Sequence, residues 1–150
     1  MSRKSLDSKQ PVMVPLLDHL CDHFKCSLNE LQVHLTNVEM RRRIIRYCRG
    51  LKLQTGGLKP SVQNGRRVYC NDISTLNANY LHALNGYLGI TVRQYYVVKH
   101  QRKPQHAYLP CVFEHGGVMK GHGRRRHQSY YPLEVLTVEI MMMMKKKKGE

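Results

Sequence analysis

The run Ile44-Ile45-Arg46-Tyr47-Cys48-Arg49-Gly50-Leu51-Lys52-Leu53-Gln54-Thr55 decides the fold class, because the apolar period changes inside it. Before Gly50, Met40, Ile44, Ile45 and Cys48 recur at helical offsets with arginines on the opposite side, which predicts an amphipathic helix. After Gly50, Leu51, Leu53 and Thr55 alternate with polar residues as a half-buried strand does. Helices come first and strands follow, so the expected class is α+β.

Toward the N-terminus the signals stay helical. Pro15 suits a first helical turn, and Leu16, Leu17, Leu20 and Phe24 make one apolar stripe. Ser27 and Glu30 form an S-x-x-E capping box ahead of Leu28, Leu31 and Leu35, and Thr36 and Glu39 are spaced for a second. Residues 1–10 are polar and expected to be disordered, with Pro11 to Pro15 leading the chain into the fold.

Toward the C-terminus the signals are those of strands and turns. Gly56, Gly57 and Pro60 mark a turn, Asn64-Gly65 signals a hairpin, and Val68 to Ile73 reads as a strand. Asn77 to Gly89 mixes Tyr80, Leu81, Leu84 and Tyr87 with turn formers and reads as an insertion. Thr91 can cap a short helix through His100. Leu109 to Phe113 and Tyr130 to Ile140 read as strands joined by a Gly/His/Arg-rich loop from Glu114 to Ser129. Residues 141–150, four Met and four Lys before Gly-Glu, form a low-complexity tail, which leaves 11–140 as one domain. A small antiparallel sheet with helical additions suggests a compact barrel.

With 150 residues, one core is expected, and 25 Lys+Arg against 10 Asp+Glu give a formal charge of +15. Neither a membrane span nor a secretory signal is expected, and five cysteines at irregular spacing point to a reducing compartment. Cys21, His23 and Cys26 lack the second paired cluster of a structural zinc site, so buried or half-buried thiols are the expected reading and no metal or cofactor is assigned.

So much positive charge suits a polyanion or an anionic membrane surface, with nucleic acid the leading partner class and no membrane partner expected. Phosphate-loop, zinc-protease and nucleophile-elbow signatures are missing, and four scattered aspartates are poorly suited to two-metal chemistry, so no enzyme is expected. What remains is a basic surface interleaved with nine tyrosines, which is how single-stranded nucleic acids are bound. The best local candidate is Tyr95-Tyr96-Val97-Val98-Lys99-His100, where a helix sets Tyr95 with Lys99 and Tyr96 with His100. The arginines at 41 to 43 read as a solvated helix face.

Five segments taken in order carry a family likeness: Gly50-Leu51-Lys52-Leu53, Arg66-Arg67-Val68-Tyr69-Cys70-Asn71-Asp72-Ile73, Thr91-Val92-Arg93-Gln94-Tyr95-Tyr96, Tyr108-Leu109-Pro110-Cys111-Val112 and Tyr130-Tyr131-Pro132-Leu133-Glu134-Val135. Together they resemble the PAZ domain of Argonaute proteins over about residues 11 to 140. The resemblance implies an OB-like β-barrel with N-terminal helices and an inserted hairpin/helix flap. The cleft between barrel and flap would hold the single-stranded 3′ end of a small RNA in RNA silencing, without cleaving it. By position, Tyr95 and Lys99 would contact terminal phosphates and Tyr80 would stack on the last base. Arg66, Arg67 and Tyr69 would supply the arginine and tyrosine of the hairpin strand, while Tyr130 and Tyr131 would line the far wall. His100 stands where many Argonautes have a second phosphate-binding tyrosine, and its grip on phosphate would strengthen below about pH 6.5. The same resemblance implies a monomeric module of a larger protein in the cytoplasm, with the nucleus as a second location. Two other readings stay open: a general OB-like single-strand binder without end preference, and a basic protein-interaction domain.

Overall fold

The first strand and the last bind the fold into a loop. In the computed structural model, which describes residues 9–56, 65–118 and 126–143, β1 (Lys9–Pro15) pairs antiparallel with β7 (Leu136–Met143) along its whole length. These strands begin two residues inside the segment expected to be disordered and end three residues inside the expected tail.

Three helices follow β1. Pro15 precedes α1 (Leu16–His23), which buries Leu16, Leu17 and Leu20. The Ser27/Glu30 capping box is formed at α2 (Leu28–Thr36): Ser27 Oγ accepts the Glu30 N–H at 3.2 Å and Glu30 Oε1 accepts the Ser27 N–H at 2.7 Å. The second expected cap moves by one residue. Thr36 is still the last residue of α2 and its hydroxyl donates to the Val33 carbonyl, so Asn37 caps α3 (Val38–Arg49) instead, its Oδ1 accepting the Met40 N–H at 3.0 Å. Ile44, Ile45 and Cys48 turn into the core as the period requires.

β2 (Lys52–Thr55) lies between β7 and β3 (Arg67–Val68), giving a four-stranded antiparallel sheet in the order β1-β7-β2-β3. β2 and β3 pair as a hairpin, in line with the Asn64-Gly65 signal, of which Asn64 lies outside the described residues. Gly65, with φ +82, donates to the Thr55 carbonyl where the ladder starts, and residues 57–64 of the connection lie outside the described residues. The strand expected from Val68 to Ile73 is divided, because the chain leaves the first sheet after Val68 and enters a second as β4 (Asp72–Asn77). That sheet runs β4-β5-β6, with β5 (Pro110–Val118) and β6 (Arg126–Pro132). The expected loop from Glu114 to Ser129 is therefore largely a hairpin, with Glu114 opposite Ser129 and His115 opposite Gln128; residues 119–125 lie outside the described residues. The single strand expected from Tyr130 to Ile140 is also two. At Pro132, which has no ladder N–H to give, the chain passes through a 3-10 turn (Leu133–Val135) into β7 and changes sheet.

Thus two bends, one after Val68 and one at Pro132, join the sheets; among the described residues they do not close into a barrel. Leu16, Leu20, Leu31, Ile44, Leu53, Ile73, Leu109, Leu133 and Leu136 are fully buried between sheets and helices. Each such side chain contributes about 1.5 to 3 kcal/mol of burial. The remaining element is an insertion between β4 and β5. It contains a turn at 78–80, a 3-10 segment (Leu84–Gly89) and α4 (Val92–His100), as the mixed composition and the Thr91 cap predicted. The 3-10 segment and α4 both pack on β6.

Candidate functional site

Four of the ten expected residues lie on α4. Thr91 Oγ1 accepts the Gln94 N–H at 3.2 Å and Gln94 Oε1 accepts the Thr91 N–H at 2.9 Å, a full capping box. Gln101, in the left-handed region at φ +50, ends the helix. The helical period then sorts the side chains. Val92, Tyr96 and His100 face inward, Tyr95 is half-buried, and Lys99 is exposed one turn beyond Tyr95.

Tyr96 and Tyr131 form the floor of the site, only 3% and 6% exposed. The Tyr96 hydroxyl donates to the Tyr130 carbonyl at 3.4 Å, and the Tyr131 hydroxyl donates to Glu114 Oε1 at 3.4 Å. Glu114 Oε2 accepts the backbone N–H of Tyr69 at 2.9 Å, so one buried carboxylate ties β5 to the segment between the sheets. Burial pushes the Tyr96 phenol well above its usual range, with Tyr131, Cys111 and Tyr95 adding to the rise and Arg66 opposing it. Tyr131 is raised as well, first by burial, with Arg66 opposing and Glu114 adding. Arg66 is thus electrostatically engaged with both phenols while remaining exposed itself. The cluster offers neutral hydroxyl donors with a guanidinium in electrostatic reach, a combination suited to phosphate oxygens.

The structure divides the Arg66, Arg67 and Tyr69 group. Along this extended segment Val68 and Cys70 are buried while Arg67, Tyr69 and Asn71 are exposed. The Arg67 guanidinium lies 4.7 Å from the centroid of the Tyr69 ring, and Tyr69 is 59% exposed. This pair stands on the outer face, opposite buried Val68.

Tyr130 is half-buried, its ring 4.9 Å from Phe113. His100 lies with the buried residues of the cluster. It belongs to the inward stripe of α4, its ring 5.5 Å from that of Tyr95 and 4.9 Å from that of Tyr96, and it is buried. An imidazole held in this way packs the helix onto the cluster, buried to about the same degree as Tyr96 and Tyr131. Tyr80, 67% exposed, sits in a turn that is fastened to the start of α4 by Arg93 N–H to the Ala78 carbonyl at 3.0 Å and Val92 N–H to the Leu81 carbonyl at 2.8 Å. No hydrogen bond or ring contact among the described residues joins Tyr80 to Tyr95 or Lys99.

Sequence reasoning missed Glu114, taken for the start of a loop; its signal was an acid ending an apolar run in a strongly basic chain. Arg102, just beyond α4, has a structural role. Arg102 donates to the Glu134 carbonyl at 3.1 Å and pairs with its carboxylate at 3.6 Å, while that carboxylate also accepts the N–H groups of Gln105 at 2.9 Å and His106 at 2.7 Å. All five cysteines are free thiols, Cys48, Cys70 and Cys111 being buried, and among the described residues no group of three His, Cys, Asp or Glu side chains could hold a metal ion. No described helix is long and apolar enough to cross a membrane. No protein-family model and no curated protein matches the chain.

Proposed function

We propose that this protein is a small-RNA-binding module that holds the single-stranded 3′ end of a guide strand, largely independent of sequence, as in RNA silencing. In this reading the two sheets are the halves of an OB-like barrel, and the insertion bearing Tyr80 and α4 is the flap over the cleft. One observation carries the reading: Tyr96 and Tyr131 come together where α4 packs on β6, within electrostatic reach of Arg66, with Tyr95 and Lys99 on the outer side of the same helix. Both floor hydroxyls make bonds of 3.4 Å, long for O–H donors, so neither is held strongly by its present partner. Arg66 and Lys99 supply the charge, and exposed Tyr80 supplies a ring face for end-stacking.

The test is end dependence. RNA with a free single-stranded 3′ end binds better than a blunt duplex, an end-blocked strand or a circular RNA; equal affinity across the set overturns the reading in favour of a general single-strand binder. A protein-interaction domain is the second reading, favoured by the apolar exposure of the insertion, where Leu88 is 72% and Val98 80% exposed. Failure to bind any oligonucleotide at moderate salt selects it.

A further inference from the structure

The helix face read as merely solvated bounds a groove. Arg41, Arg42, Ile45, Arg46 and Arg49 of α3, with Asp72 at the start of β4, enclose an open volume of about 340 Å³. Two of these arginines are fixed to the strand: Arg49 donates to the Asn71 carbonyl at 2.9 Å, and Arg41 donates to the Ile73 carbonyl and pairs with Asp72 at 3.6 Å. The Arg41 Nε is buried with no hydrogen-bond partner among the described residues. Arg42 and Arg46 are exposed and one helical turn apart, a rise of about 6 Å. The groove's cations are all arginine, whose planar fork suits phosphate in two-point contact better than the point charge of lysine.

One end of the groove adjoins the outer-face row that bears the Arg67/Tyr69 pair. Arg67, Tyr69 and Asn71 form one exposed row, and the Asn71 carbonyl at its end is the one that Arg49 holds. Tyr69 and Asp72 are three residues apart, at most about 11 Å of chain.

The geometry points to a second nucleic-acid contact: the α3 groove binds backbone phosphates of the same single strand, several nucleotides away from the end held at α4. This rests on the RNA-binding reading above. Arg42 and Arg46 provide the contacts, and the Arg67/Tyr69 row carries the strand between the two places.

The experiment measures binding of the full chain to a fluorescent single-stranded RNA tetramer and dodecamer, each with a free 3′ end, as a function of salt. The double variant Arg42→Gln/Arg46→Gln should lower the salt slope for the dodecamer by about 1.4, so that the affinity lost between 50 and 200 mM salt shrinks about sevenfold. The tetramer slope should not change. Arg43→Gln, the same loss of charge outside the groove lining, should leave both slopes unchanged. A dodecamer slope unaffected by the double variant overturns the groove while leaving end binding intact. An effect of Arg43→Gln equal per charge to that of the double variant assigns the change to net charge and also overturns it. Loss of binding to anionic phospholipid vesicles in the double variant, with the dodecamer unaffected, assigns the groove to lipid headgroups instead. If the unaltered protein binds neither RNA, the end-binding reading itself has failed.

Discussion

Glu114 Oε2 accepts the backbone N–H of Tyr69 at 2.9 Å, across 45 positions of sequence. The bond holds the segment between the sheets against β5, and its other oxygen receives the Tyr131 hydroxyl, so the packing of the core and the floor of the candidate site share one carboxylate.

Glu114→Ala therefore leaves a part-buried N–H without its acceptor and frees the Tyr131 hydroxyl. The expected loss of stability is on the order of 2 kcal/mol, read as a lower urea midpoint with an unchanged m-value. Glu114→Gln keeps an acceptor oxygen and should lose less; equal losses would mean that the bond to Tyr69 contributes nothing.

Glu134 is the equivalent anchor for the far end of the insertion. Its carboxylate gathers two backbone N–H groups and Arg102, and its side chain is only 6% exposed. Glu134→Ala should cost about 3 kcal/mol in thermal or urea unfolding. Proteolysis should also cut first near residues 101–106, and an unaltered cleavage pattern would show that the segment is held by other contacts.

At the candidate site, Tyr80→Ala should weaken binding of a free-ended strand by about 1 to 3 kcal/mol, the usual contribution of one base stacked on an aromatic ring. Lys99→Gln should lower the salt slope by about 0.7. Titrations of the two variants against the same RNA check both, and an unchanged affinity for Tyr80→Ala removes that ring from the site.

Stability should fall in alkali. Cys111 and Tyr96 both have folded-state pKa values raised, first by burial, above ordinary values of 9.0 and 10.0. The folded state then keeps protons that the unfolded chain releases, so their contribution is complete below about pH 9 and is lost as pH climbs above each unfolded value. Tyr96→Phe should flatten the decline above pH 10 in urea midpoints measured against pH; a decline of unchanged steepness would contradict this.

In acid the sign reverses at His19. Burial, with the nearby His23 charge, lowers its pKa below the ordinary 6.5, and Asp22 only partly opposes. Its ring nitrogen Nε2 lies 2.6 Å from the Tyr47 hydroxyl. The folded state resists protonation there, so this contribution is present above pH 6.5 and lost as pH falls through the lowered value. Titration of the His19 ring resonance by NMR should give a midpoint below 6.5; one at or above it would contradict the burial argument.

Local rules read the four helices and β2 correctly and misjudged the extent of the other strands. Ser27 with Glu30, and Thr91 with its capping position, are interactions over three residues, complete within a single turn and therefore legible without any fold. The Thr36 cap failed by one residue because two adjacent side chains could each serve and the end of α2 took one of them. The candidate site was legible in composition but not in arrangement. The sequence marked Tyr95, Tyr96, Lys99 and His100 as a group, yet burial alone distinguishes Lys99 at the surface from His100 packed beneath the helix.

The order of residues by itself determined the α+β class, the caps of α2 and α4, the inward stripe of each helix and the excess of positive charge, since these depend on periodicity and on neighbours a few positions away. Only the tertiary structure decided that Val68 to Ile73 and Tyr130 to Ile140 each break between two sheets, that Glu114 joins Tyr69 to Tyr131, and that the α3 arginines face β4 across a groove. Those relations span from 17 to 45 positions for the Glu114 contacts alone, and their energy depends on what burial brings opposite each side chain, which no local pattern encodes.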